Sequence, residues 1–303
     1  MFLTFVLLLV GVFACSTAVI FIKMSELPPM LLAALRLLVS VVILSPLFWR
    51  QWRRHRAVYP AREFRRSLLP GVLLALHFVT WIIGARMTTA INASIIVNLV
   101  PVVMPFFLFF MMREALTERE WIATALAVSG VVVLSLSDFY LSAEFFKGDM
   151  LCSSSMLFLA CYLALGRRHR DVPGLWLYVV PLYFFAGLIC LAVSLAVGED
   201  VPVWTWREAG LLLALAAIPT VVGHSIMNYV MKHLRGQVVS IFNTGQFVFA
   251  GLMAYLLLGE SPQWMTYAAA ALLVLGAFIL LGEKAPAASV PADTEEPVTA
   301  PES

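Results

Sequence analysis

The chain has 303 residues, 62% of them hydrophobic and only 13% charged, with a mean hydropathy of +0.93 and a formal net charge of +2. Soluble domains sit near about 45–50% apolar and about 25% charged, so this composition suits lipid as the solvent and argues against nucleic acid as a partner. Cys15, Cys152, Cys161 and Cys190 all lie in apolar runs and lack the short Cys/His spacings that hold zinc or clusters, so no metal or cofactor is expected.

Crossing a hydrocarbon core takes about 20 mostly apolar residues. Charged and turn residues divide the chain into ten such runs, at about 2–22, 28–49, 67–85, 87–112, 121–137, 149–166, 174–197, 208–231, 236–258 and 262–282. The first has an Ala14-Cys15-Ser16 stretch that hints at lipoprotein cleavage, but no Lys or Arg precedes it and apolar character continues to Ile22, so it reads as the first span. The fifth and sixth are the shortest. Asp138, Glu144 and Lys147 between them argue against fusing the two. The expected fold class is an all-α membrane protein with ten transmembrane helices.

Ten spans make the loops alternate between two faces. The face that includes the 50–66 loop carries fifteen Lys and Arg residues, seven of them in that loop, and the opposite face carries four. Cytoplasmic loops accumulate basic residues, so both termini are expected in the cytoplasm, and short loops point to a bacterial inner (plasma) membrane. Arg53, Arg54, Arg56, Arg65 and Arg66 read first as a determinant of topology; contact with anionic headgroups of the membrane lipid is the alternative. Residues 285–303 are dominated by Pro, Ala, Thr and Glu, which cannot bury enough apolar surface to fold, and are expected to form a disordered cytoplasmic tail.

A shift of 146 residues pairs Ser94 with Ser240, Glu114 with Glu260 and Gly130 with Gly276, and one residue of slippage pairs His77 with His224 and sets Trp81 opposite Asn228. The chain therefore reads as two repeats, residues 1–137 and 148–283. Each contains five spans, an odd number, so the second must insert upside down. Inverted repeats of this kind build alternating-access transporters, with the solute site near the midplane where they meet.

Several local features resemble the EamA-type permeases of the drug/metabolite transporter superfamily. They are Leu27-Pro28-Pro29 with Arg36 in span 2, His77-Phe78 in span 3, and Pro101 followed by Glu114 in span 4. In the second half they are Gly148-Asp149 opening span 6, Gly223-His224-Ser225 with Asn228 in span 8, and Gly259-Glu260 after span 9. The resemblance implies a central cavity lined by spans 1, 3, 4, 6, 8 and 9, with spans 5 and 10 behind it, and leaves the solute unnamed. Independently, Ala123 and Ala127 in span 5 and Ala268 to Ala271 in span 10 permit close helix contact in lipid.

Placing an ionisable group at mid-membrane costs about 2.5–3.5 kcal/mol or more, and only Arg36, His77 and His224 sit there. Arg36 lies about 12 Å into span 2 at 1.5 Å per residue. It is read as a structural cation satisfied by a neighbouring span, or alternatively as a carboxylate contact. His224 and Asn228, at i and i+4, share a face, as do His77 and Trp81; these faces meeting across the repeat axis form the leading substrate-binding candidate, with helix packing as the alternative. An imidazole could also couple transport to protons. Asn98, with Asn92 and Ser94, in span 4 and Asn243 and Gln246, with Ser240 and Thr244, in span 9 form a second layer. Pro101 and Pro105 are expected to kink span 4. Thr117 with Glu120 reads as a capping box, Ser261-Pro262 as a helix start, and Glu114 and Glu260 as turn positions, with a gate salt bridge as the alternative.

The expected function is transport of small organic metabolites, amino acids among them, by a protein that is not an enzyme; monomer and homodimer both remain open. An intramembrane enzyme would need a metal motif, paired carboxylates or an activated nucleophile, none of which is present in the sequence. A non-transporting membrane scaffold is the other alternative. No Gly-rich phosphate loop ending in Lys occurs, so ATP hydrolysis is not expected.

Overall fold

The computed structural model describes residues 2–113, 115–139, 143–169, 171–200, 203–234, 236–261 and 264–281. The expectations for Glu114, Pro262 and the 285–303 tail, and for the side chains of Ala127, Asp138 and Glu144, lie outside what is described. Among the described residues every regular element is helical. Eight helical stretches are long and apolar enough to cross a membrane; α7 (Glu118–Phe139) and α14 (Trp264–Leu281) occupy the places of spans 5 and 10.

Spans 1 and 2 are α1 (Phe2–Met24) and α2 (Pro29–His55). A short α3 (Ala61–Arg65) precedes α4 (Leu68–Met87), which is span 3. Span 4 consists of two helices, α5 (Ala90–Val97) and α6 (Val100–Met112). Spans 6 and 7 are α8 (Ala143–Arg168) and α9 (Leu175–Val197). Span 8 runs from α10 (Trp206–Leu215) through a π-helical segment, Ala216–His224, into α11 (Ser225–His233). Span 9 is again two helices, α12 (Gly236–Thr244) and α13 (Gln246–Leu258).

Local chemistry accounts for several boundaries. Thr117 Oγ1 accepts from the Glu120 N–H at 3.3 Å while Glu120 Oε2 accepts from the Thr117 N–H at 2.8 Å, the reciprocal capping box that starts α7. Thr89 and Thr205 cap α5 and α10 through the N–H groups of Asn92 and Glu208. One expectation fails here: Gly148-Asp149 does not open span 6, because α8 already begins at Ala143. Gly148 instead lies where α8 crosses α4, and a Cβ there would stand 3.0 Å from the Gly84 carbonyl oxygen, too close for any other residue.

The packing follows a two-fold pattern. α2 packs on α9, α7 on α14, and the halves of span 4 on those of span 9; α4 packs on α8 as α1 does on the π segment. Relating each span to the one five places later maps this set of contacts onto itself. The α7–α14 contact carries the symmetry to the atom: a Cβ on Gly130 would stand 3.1 Å from the Ala269 carbonyl oxygen, and one on Gly276 3.1 Å from that of Ala123. Both pairs of equivalent residues differ by the same 146 positions. Lipid supplies no hydrophobic drive between helices, so small residues that let backbones touch supply dispersion contact instead.

Candidate functional site

Both fourth spans are interrupted at equivalent positions. In span 4 the break falls at Asn98 and Leu99, in span 9 at Gly245, which lies 146 residues after Leu99. Pro101 causes the first, since it has no N–H for the Val97 carbonyl and its ring crowds that oxygen; the break thus lies ahead of the proline, while Pro105 stays inside α6. In span 9 no proline is involved. Thr244 Oγ1 donates back to the Ile241 carbonyl and Gly245 turns onto Phe242 O, both of which compete with the helical ladder.

The breaks bring amides together. Asn98 Nδ2 donates to Ser94 O at 2.7 Å, Asn243 Nδ2 donates to Asn98 Oδ1 at 2.8 Å, and Gln246 Nε2 donates to Asn243 Oδ1. This chain bridges the two repeats at mid-depth. Beside it, His77 and Trp81 stack nearly parallel at 9° with centroids 5.9 Å apart, and the His77 and His224 rings lie 6.3 Å apart. His77 Nδ1 is 2.7 Å from Ser155 Oγ and 3.1 Å from Ser155 O, and Ser155 Oγ donates to His77 O at 3.0 Å. His224 Nδ1 is 3.1 Å from Tyr162 Oη.

A narrow cavity of about 30 Å³, room for about one water, lies between these groups, lined by residues of spans 1, 3, 4, 6, 8 and 9. Six of the residues singled out from the sequence, His77, Trp81, Asn98, His224, Asn243 and Gln246, face it. Asn228 stands behind it, donating to His224 O at 2.8 Å and to Tyr162 Oη at 3.4 Å. Cys15, Tyr162 and Met227 also line the cavity and were not singled out; for Tyr162 the available signal was its seven-residue spacing from Ser155 on one face of α8.

Arg36 is the other residue that does not line the cavity. It is fully buried, its Nε and Nη2 donate to Thr220 Oγ1 at 3.1 and 2.8 Å, and its Cζ lies 4.2 Å from the Phe78 ring centroid. Thr220 sits in the π segment because Pro219 cannot donate to the Leu215 carbonyl; the Thr220 hydroxyl takes that oxygen at 2.9 Å. Tyr183 Oη donates to Thr220 O of the same segment at 3.2 Å, and Ser40 Oγ, which donates to Arg36 O at 2.6 Å, also lies 3.2 Å from Ala216 O. Arg36 thus fastens span 2 to an irregular stretch of span 8, while its Nη1 is buried without a hydrogen-bond partner.

Helix contacts bracket the cavity at both ends. α5 packs on α13 at one end and α6 on α12 at the other. At the first, Lys23 Nζ donates to Thr88 O at 2.7 Å; at the second, Arg167 Nη1 donates to Leu234 O at 2.6 Å. Thr88 and Leu234 are the C-caps of spans 3 and 8 and differ by 146 residues. Glu260 completes the first closure, pairing with Lys23 at 3.0 Å and accepting the Ala90 N–H at 2.7 Å. It is therefore more than a turn residue: it caps α5 from the other repeat.

The model of the EamA-like transporter family matches residues 2–136 and again 146–282. No curated protein sequence matches the chain. A solved structure described only as "Crystal structure of protein" superposes with a TM-score of 0.70 at 17% identity, over 92% of this chain and 97% of that one, a likeness of fold. With matches over residues 2–136 and 146–282, which span nearly all of its apolar length, the chain belongs to the EamA-like transporter family.

Proposed function

We propose that the protein is a permease that carries small organic solutes, amino acids among them, across a bacterial inner membrane by alternating access between inverted repeats, residues 1–137 and 148–283, with both termini cytoplasmic. The observation that carries this reading is the pair of equivalent helix breaks at 98–99 and 245, beside Asn98, Asn243 and Gln246 on the cavity wall. Interrupted helices at the repeat interface leave backbone and amide groups free for a solute at mid-membrane, where continuous helices would bury them in their own ladders. His77, Trp81, Asn98, His224, Asn243 and Gln246 would contact the solute, with Asn228 holding Tyr162 and Arg36 bracing the π segment. No Asp, Glu, Lys or Arg is among the residues that line the cavity, which favours a solute without net charge.

Counterflow of a labelled amino-acid and metabolite panel into liposomes holding the purified protein tests this. Saturable accumulation of at least one compound is expected. Folded protein that accumulates nothing across a broad panel would move the reading to a membrane scaffold.

A further inference from the structure

The cavity carries hydrogen-bonding groups of two kinds, and the structure settles which kind stands where. A neutral imidazole has one donor and one acceptor nitrogen, and the partner of one nitrogen decides the role of the other. His77 Nδ1 lies 3.1 Å from Ser155 O, a carbonyl that can only accept. Ser155 Oγ spends its one hydrogen on His77 O at 3.0 Å, so toward Nδ1, 2.7 Å away, it too offers only lone pairs. The carbonyl contact needs the proton on Nδ1, and the hydroxyl contact is compatible with it. The Nε2 of His77 is then an acceptor.

His224 faces the opposite situation. The Asn228 side-chain N–H₂ is oriented by His224 O at 2.8 Å and also donates to Tyr162 Oη, so the tyrosine oxygen already accepts. Its hydrogen has one acceptor in reach, His224 Nδ1 at 3.1 Å. The proton of His224 is therefore on Nε2, a donor. The same orientation logic runs through the amides: Ser94 O fixes Asn98, Asn98 fixes Asn243 and Asn243 fixes Gln246, leaving Gln246 Oε1 as an acceptor. Trp81 Nε1 is a buried donor without a partner.

We infer that the Ser155 carbonyl and the Tyr162 hydroxyl hold the two equivalent histidines in opposite tautomers. This gives the symmetric cavity an acceptor nitrogen on His77 and a donor nitrogen on His224, two rings whose centroids lie 6.3 Å apart. The inference rests on the permease reading and sharpens it: the cavity, as it widens on opening, takes a dipolar, net-neutral solute, such as an amine–carboxylate zwitterion, whose ammonium meets the acceptor nitrogen of His77 and whose carboxylate meets the donor nitrogen of His224. Repeats alike in backbone would otherwise present alike groups to both ends of such a solute.

The test is nitrogen NMR of the protein labelled with ¹⁵N-histidine in nanodiscs at neutral pH, with His77→Gln and His224→Gln identifying the two signals. Neutral rings are expected, protonated on Nδ1 in His77 and on Nε2 in His224. Tyr162→Phe, close to isosteric, should turn the His224 signal into a mixture and leave His77 alone. Ser155→Ala should leave His77 as it was, since the backbone carbonyl remains. Counterflow of the best-carried zwitterion should fall about tenfold in Tyr162→Phe, as expected for one lost hydrogen bond. Identical tautomers, a charged ring, or a His224 signal indifferent to Tyr162→Phe would each overturn the inference, whatever the transport result. The stated tautomers in a protein that accumulates nothing would instead overturn the permease reading.

Discussion

Glu260 is the clearest single control on opening. Its carboxylate holds Lys23 of α1 and the first N–H of α5, so it ties the end of span 9 to two spans of the other repeat. Hydrogen bonds to charged groups contribute about 1.5–3 kcal/mol, and exposed ion pairs about 0.2–1 kcal/mol. The Lys23 and Glu260 side chains are 17% and 22% exposed, between those limits. Removing the carboxylate should therefore cost the closed arrangement about 1–2 kcal/mol, and since about 1.4 kcal/mol is a factor of ten, the population open at this end should rise about 5- to 30-fold. Cys15 lines the cavity and reports that opening. With Cys152, Cys161 and Cys190 replaced by Ser, the rate at which a membrane-impermeant thiol reagent labels Cys15 from the Lys23 end should rise by that factor in Glu260→Ala. Glu260→Gln, which keeps an acceptor for Ala90, should give a smaller increase. Unchanged labelling in both variants and in Lys23→Gln would refute the latch.

The α7–α14 contact has no room for a side chain at Gly276, so Gly276→Val should lower stability by about 1–3 kcal/mol, whereas Gly210→Ala, where nothing lies within 4 Å, should not; thermal unfolding in detergent separates them. Arg36→Lys keeps the charge but loses the planar pair of donors to Thr220 and the stacking on Phe78, and should cost about 1–3 kcal/mol by the same assay; in a Thr220→Val protein, which has already lost the hydrogen bonds, Arg36→Lys should cost less. At the end that carries the 50–66 loop, Arg66 bonds both Asp171 oxygens and holds that carboxyl below the ordinary carboxylate range. A depressed carboxylate pKa stabilises the fold above the unfolded value near about 4 and ceases to do so as pH falls through the folded value. Because Asp171 is 59% exposed, Asp171→Asn should cost less than about 1 kcal/mol at pH 7, and the difference from the parent should vanish on acidification.

The sequence by itself determined the features that depend on how much apolar length a helix carries and on how its ends are chemically closed. Ten runs of membrane-spanning length, the Thr117–Glu120 capping box and the 146-residue repeat were legible because transfer into lipid sums over a whole helix and capping is local. The small residues of spans 5 and 10 marked both as able to pack closely on another helix, since close approach needs a missing side chain, but did not say that the two would meet.

Which face of each span meets protein was not legible, because the interior and the lipid are about equally apolar and little amphipathic period marks the boundary. His77 and His224 stood out by the cost of burying them, but nothing local said that Ser155 and Tyr162, on α8, would face them, or that Arg36 would meet Thr220 instead of the cavity. The break at Gly245, the π segment and the early start of α8 were missed because each is decided by partners more than by propensity: carbonyls freed from the helical ladder survive in a membrane only where another span satisfies them. Tertiary structure alone therefore decided the polarity of the cavity, since a tautomer belongs to a pair of residues brought together by folding.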